Sequence, residues 1–219
     1  MRAHEDVRSW YGWAEISPGD PIVAGSLGRW RIIYHVGRYG IAAGGSLKLL
    51  FPACSDWAPL QGRDPYEENF MTVATTGRGQ VTWRYEPRGH AHPWSKAAIV
   101  EVAQWSLAEG DTVVFYLGDP DGGSPGMRAQ TFVQAGYEFR LVVDPFAARE
   151  YMSVLSPRVD IVAGPAARLA LVAPSQVAPG EEWALVVRLE DRWGNLATGH
   201  RGEVAIEGVP AVTRLLLGE

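Results

Sequence analysis

The chain has 219 residues, 47% of them apolar and 21% charged, with a formal charge of −5 at neutral pH, an ordinary globular composition with room for one large domain or two smaller ones. That charge leaves no basic stripe to neutralise phosphates, which argues against nucleic acid, and no apolar run approaches the roughly 20 residues of a membrane-spanning helix. The N-terminal MRAHEDVRSW has no signal-peptide core, so the expected location is cytoplasmic, and the single cysteine, Cys54, leaves no partner for an internal disulfide or a multi-cysteine metal site.

The 25 Gly and 15 Pro are spread along the whole chain, the punctuation of many short strands joined by tight turns. The expected fold class is therefore all-β. Nine Trp mark either thick sandwich cores or exposed stacking platforms.

In chain order, Met1 to Ser9 reads as a frayed or partner-dependent lead, followed by the aromatics Trp10, Tyr11 and Trp13 and a turn from Ser17 to Pro21. From Trp30 to Val36 the residues Trp30, Ile32, Tyr34 and Val36 alternate with Arg31, Ile33 and His35, the period of a half-buried strand. Ser46 to Phe51 predicts the next strand, and Cys54 to Asn69, with no apolar period, a long surface loop. Phe70 to Thr75 and Gln80 to Glu86 read as a hairpin joined by Thr76-Gly77-Arg78-Gly79. Ala97 to Leu107 has helix-forming composition but alternates like a strand. The stretch from Gly110 to Val143 predicts two apolar strands facing each other across the loop Gly118 to Gly126. Asp144 to Tyr151 has helix formers after a proline and predicts a turn or two of helix.

Gly164-Pro165 reads as a linker. Beyond it lie short segments at Leu169 to Val172, Trp183 to Glu190, Val204 to Glu207 and Val212 to Leu217, with a turn at Asp191-Arg192-Trp193-Gly194-Asn195. Their spacing is that of an immunoglobulin-like sandwich, yet only about 55 residues are present where such a sandwich uses about 100. The expected architecture is two β-sandwich units, jelly-roll-like or immunoglobulin-like, over residues 1–164 and 165–219. The second is incomplete and would be finished by another chain or by further polypeptide.

Several of these stretches carry a resemblance. Ala24-Gly25-Ser26, Tyr39-Gly40-Ile41 with Gly44-Gly45, Ser55-Asp56-Trp57 with Gln61, Gly118-Asp119 with Gly123-Ser124-Pro125-Gly126, Gln130-Thr131-Phe132 and Asp191-Arg192-Trp193-Gly194-Asn195 resemble the N-terminal half of a large bacterial family catalogued as a domain of unknown function. In that family β-rich N-terminal domains precede a catalytic domain similar to the polymerase-and-histidinol-phosphatase class of metal-dependent hydrolases. The resemblance implies a non-catalytic accessory module that docks on or shapes access to a C-terminal catalytic domain, with any divalent metal held there. The family's Asp-Leu-His-x-His type segment has no counterpart in these 219 residues, so no catalytic residue and no cofactor is assigned here.

The residues themselves offer three candidate chemistries. His90 and His92 form an H-x-H pair that could hold zinc, although their flanks Arg88, Gly89 and Pro93 make a loop with no third ligand nearby in sequence. Asp119 and Asp121, with Ser124, supply the hard oxygens calcium prefers, and are equally good turn chemistry. Cys54, Ser55 and Asp56 with the distant His35 do not make a nucleophilic triad, since adjacent side chains diverge. The aromatics Trp57, Tyr66 and Trp94, together with Trp10, Tyr11 and Trp13, sit in expected loops and strand ends, where they would stack on a sugar, meet a neighbouring domain or cap the sandwich. An independent carbohydrate- or ligand-binding domain built on these loop aromatics is thus the alternative to the accessory module.

Overall fold

The computed structural model describes the backbone of residues 2–198, 202–206 and 213–217 and the side chains of residues 6–198. The described chain is all-β apart from one helix, α1 (Arg2–Tyr11), and a 3-10 turn at Pro120–Gly122. The first strands are β1 (Trp13–Ser17), β2 (Ile22–Val23), β3 (Leu27–Gly28), β4 (Trp30–His35), β5 (Ser46–Phe51) and β6 (Met71–Thr75). They are followed by β7 (Gln80–Glu86), β8 (Lys96–Gln104), β9 (Thr112–Leu117), β10 (Met127–Arg128), β11 (Gln134–Glu138) and β12 (Arg140–Asp144). The last are β13 (Met152–Ser153), β14 (Arg158–Val162), β15 (Arg168–Val172), β16 (Val186–Glu190), β17 (Gly202–Ile206) and β18 (Thr213–Leu217). Glu207 and Val212, which the spacing attached to the last two strands, lie outside the described residues.

Two antiparallel sheets carry the first unit. One has the order β1-β4-β9-β6, the other β13-β12-β5-β8-β7. A smaller sheet, β11-β14-β2, closes one end, with β14 and β2 parallel. The two large sheets bury a common core: Trp30, Ile32, Tyr34, Phe115 and Met71 from one meet Leu49, Phe51, Val100, Leu141 and Val143 from the other. Alternation does this work, because every second residue of β4 and β9 points inward.

β5 breaks the alternation and is buried on both faces. Its outer face, with Leu50, Ala97, Ile99 and Val142, lies beneath Trp94 and Tyr151. Lys48, 9% exposed, donates to Gly89 O at 2.8 Å and sits 4.0 Å from the centre of the Tyr151 ring. The carbonyl and the π face compensate the burial of a lysine in mid-sheet, and the contact ties down the loop between β7 and β8.

Met1 lies outside the described residues, and Arg2 to Ser9 of the expected lead are instead part of α1. Its terminal carbonyls are satisfied by the loop after β4: Arg38 N–H donates to Ser9 O at 3.0 Å and Tyr39 N–H to Trp10 O at 3.1 Å. Gly12, at φ +90°, ends the helix in a conformation that disfavours other residues. Trp10 and Tyr11 both meet Tyr39 at 5.1 Å between ring centres. No described helix is long and apolar enough to cross a membrane.

Three expectations about pairing and local structure are corrected. β6 and β7 do not pair; β6 is an edge of the four-stranded sheet beside β9, and β7 an edge of the five-stranded sheet beside β8. The two apolar strands of the Gly110 to Val143 stretch also part company, β9 lying between β4 and β6 while β12 pairs with β5. Asp144 to Tyr151 forms no helix. The Asp144 carboxylate accepts the N–H groups of Phe146 (3.3 Å), Ala148 (3.1 Å) and Arg149 (2.7 Å), and Ala147 and Arg149 take positive φ. The segment from Ala97 is a strand, within β8.

Trp57, read as a loop aromatic that would stack on a sugar, meet a neighbouring domain or cap the sandwich, is a core residue, 3% exposed. Its ring meets Trp30 and Phe139 at 5.5 Å, Tyr137 at 5.8 Å and Phe51 at 6.5 Å, which leaves no face for a solvent-borne ligand. Its long surface loop folds back into the sandwich because only the core can bury an indole. Replacing Trp57 by Ala is expected to lower the unfolding free energy by about 3–5 kcal/mol, as for other emptied aromatic sites. Tyr66→Ala, at a residue 75% exposed, is expected to change it by less than about 0.5 kcal/mol; urea unfolding of the two variants beside the parent chain measures both.

Candidate functional site

The polar groups of this chain converge where the first unit meets the turn Asp191–Asn195. The turn follows β16 and is held by its own first residue. Asp191, 1% exposed, accepts on Oδ1 the N–H groups of Trp193 (2.8 Å) and Asn195 (2.9 Å). Its Oδ2 accepts the Gly164 N–H (3.0 Å) and the Asn195 amide (2.9 Å). One carboxylate thus closes the turn and fastens it to the end of the first unit.

Asn195 carries the connection inward. Its Nδ2 donates to Thr131 O at 2.8 Å and its Oδ1 accepts the Val133 N–H at 3.1 Å. Thr131 in turn donates its N–H to Asp56 Oδ1 at 2.9 Å and its hydroxyl to Asp56 Oδ2. Gln130, fully buried, accepts the Ser55 hydroxyl at 2.9 Å, donates to Phe132 O at 3.0 Å, and offers its backbone carbonyl to the Gly25 N–H at 2.8 Å. Ser55 also accepts the Trp57 N–H at 3.3 Å, so the chain of bonds runs from the turn to the aromatic core.

Gly25 shows why a small residue is needed. It takes φ +67° and a Cβ there would collide with the Trp193 indole. Arg128 seals the adjacent edge, pairing through two nitrogens with Glu68 at 3.1 and 2.6 Å and donating to Gly25 O at 3.3 Å. On the far side, Arg168 pairs with the buried Glu190 at 2.8 and 2.6 Å, which locks β15 to β16.

Burial raises the pKa of Asp191, but the hydrogen bonds from Asn195, Gly164 and Trp193 outweigh it and bring the pKa down from 3.8 to about 2. These bonds hold the Asp191–Asn195 turn against Gly164, Thr131 and Val133.

The remaining expected site residues are dispersed. His90 lies half-buried near Tyr151, with ring centres 6.0 Å apart, while His92 is exposed. Burial, then the charges of Lys48 and Arg140, hold His90 below the usual imidazole range, surroundings that oppose a cation. Asp119 spends Oδ2 on the Thr72 hydroxyl and Oδ1 on the Asp121 N–H at 3.0 Å, capping the 3-10 turn, and Asp121 is exposed. Among the described residues no three His, Cys, Asp or Glu side chains come together as a metal site. Trp94 packs on the outer cluster under the Arg140 guanidinium, 5.1 Å from its ring centre. Tyr66 stands in solvent.

In the sequence, Ser55-Asp56 stood out as a rejected nucleophile set, Asp191 to Asn195 as a turn, and these with Gln130-Thr131 as points of resemblance. Their shared feature, small polar residues in turn-forming runs, was visible; their joint location was not.

No protein-family model matches the chain. It is similar to an uncharacterized protein of Chlamydia muridarum, 26% identical over 195 residues, and to an uncharacterized protein of Chlamydia trachomatis, 27% identical over 195 residues. Each match takes in 84% of this chain and 30% of the relative. The chain therefore spans about 30% of the length of the curated relatives it matches.

Because the folded pKa of Asp191 lies below its unfolded value of 3.8, the stabilisation it gives is complete above that value and lost as the pH falls toward about 2. Pepsin cleavage within residues 165–198 is expected to accelerate over this window in the parent chain, and far less steeply in Asp191→Asn, which has no charge to lose. At neutral pH, Asp191→Ala is expected to raise tryptic cleavage after Arg192 at least about tenfold, since several N–H groups lose their acceptor.

Proposed function

We propose that this chain is the non-catalytic N-terminal scaffold of a longer protein, and that its second unit, an unfinished immunoglobulin-like sandwich, is a mount for a catalytic domain. The observation that carries this reading is a fixed turn beside an uncovered sheet. The Asp191–Asn195 turn is bonded into the first unit through Gly164, Thr131 and Val133. The adjoining hairpin of β15 and β16 leaves Leu169, Leu171, Val172 and Val186 between 45% and 58% exposed. Leu169 and Leu171 stand on one face, Val172 and Val186 on the other; a two-stranded hairpin is marginal in water by itself and gains stability when its apolar surface is covered.

The length of the chlamydial relatives supports the same reading, since each has more than twice as much chain again as the matched part. The resemblance noted in the sequence gives the covering domain a chemistry, metal-dependent hydrolysis, with the divalent metal and its ligands outside these 219 residues. The scaffold's part is to set the angle and spacing of that domain and to shape the approach to it.

Hydrogen exchange compares the 219-residue chain with the product of the complete reading frame. The amides of β15 and β16 are expected to exchange at least about tenfold more slowly in the complete product, as covered strands do, and elemental analysis is expected to find divalent metal only there. Equal exchange in the two, stoichiometric metal in the 219-residue chain, or a reading frame that closes at Glu219 would overturn the proposal.

A further inference from the structure

At the rim of the sandwich, away from the junction, a cleft of about 510 Å³ opens between β7 and the loop at residues 60–63. β7 is the outermost strand of its sheet. Its inward residues Trp83 and Tyr85 therefore pack against the core yet remain half-buried, with ring surface left toward the cleft. The opposite wall is stiff. Gln61 donates to Asp64 O at 2.8 Å and accepts the N–H groups of Arg63 (2.8 Å) and Asp64 (2.9 Å). Gly62 lies so close to the indole that a Cβ would come within 2.6 Å of Trp83 Cζ2.

Three of the polar side chains on this cleft, Trp83, Tyr85 and Arg63, are unspent among the described residues. Neither the Trp83 indole N–H nor the Tyr85 hydroxyl makes a hydrogen bond among the described residues, and neither is a buried atom. Arg84 is neutralised by Glu101 at 2.8 Å and Glu86 at 3.4 Å. Arg63 has no carboxylate of the described residues within 4.0 Å. The cleft thus offers two aromatic surfaces side by side, two hydrogen-bonding tips and one free cation, in a volume within the usual range for small-ligand sites.

We propose that this cleft binds an acidic oligosaccharide, a chain of uronic acid units. The C–H face of a sugar ring lies against Trp83 and Tyr85, its hydroxyls take the indole N–H and the phenol, and its carboxylate pairs with the Arg63 guanidinium. A neutral sugar satisfies only the first two terms. A nucleotide or an apolar ligand fits less well, since one arginine is a poor match for several phosphates and an apolar ligand leaves the N–H and O–H groups unpaired. The site is independent of the scaffold reading, because Trp83, Tyr85 and Arg63 take no part in the junction.

The test is an NMR titration of the whole chain with trigalacturonic acid and, separately, with the neutral cellotriose. The Trp83 indole N–H resonance, identified by its loss in Trp83→Phe, is expected to move saturably with trigalacturonate at a Kd of about 0.1–1 mM. Arg63→Gln, at an exposed turn, is expected to weaken that binding about tenfold, the worth of one charge-assisted contact, and cellotriose to bind about tenfold more weakly than trigalacturonate. No movement with either sugar at about 10 mM, or movement confined to other residues, would overturn the site. Equal binding of the two sugars, or an affinity unchanged in Arg63→Gln, would overturn its assignment to acidic sugars.

Discussion

Four N–H groups from three residues converge on the buried carboxylate of Asp191, and the attachment of the turn after β16 to the sandwich depends on that convergence. Backbone N–H groups withdrawn from water need an acceptor. Here a single side chain serves its own turn and, through Gly164, the end of the unit before it. Asn195 extends the hold by bonding on both amide atoms to the segment at Thr131 and Val133. Removing any one of these groups strands others, so the junction is a cooperative set rather than a sum of separate bonds.

The set is rigid only because its base is rigid. Ser55 and Asp56 sit at the start of the loop that delivers Trp57 to the core, and Ser55 accepts the Trp57 N–H. The indole is gripped by four other aromatic rings, a contact area that dominates local energetics. Gln130 and Thr131, bonded to Ser55 and Asp56, inherit that fixity and pass it to Asn195. Core packing is thus carried, through side-chain amides and hydroxyls, to the Asp191–Asn195 turn.

What could be read from the sequence follows from what alternation encodes. The period of two marks which residues of β4 and β7 share a face, and those strands lie where it put them. Alternation says nothing of the partner. The four residues Thr76 to Gly79 suit a hairpin, yet the chain uses them to step from one sheet's edge to the other's. Helix propensity likewise favoured Asp144 to Tyr151 until the Asp144 carboxylate claimed three N–H groups that a helix would have used. Trp57 was misjudged because its neighbours show no period, although a residue that large and apolar pulls a loop inward. Trp83 and Tyr85 were legible as strand residues, but their half-exposure follows from β7 being an edge, which is a property of the sheet and not of the segment.

The polar junction holds the hairpin of β15 and β16 at one orientation on the sandwich. The exposed Cys54 of the first unit and a cysteine placed at the exposed Leu171 of β15 can each carry a spin label, and pulsed dipolar spectroscopy reads the distance between them. A single narrow distribution that broadens in Asn195→Ala is the predicted result; a broad distribution in the parent chain, unchanged by that substitution, would contradict it.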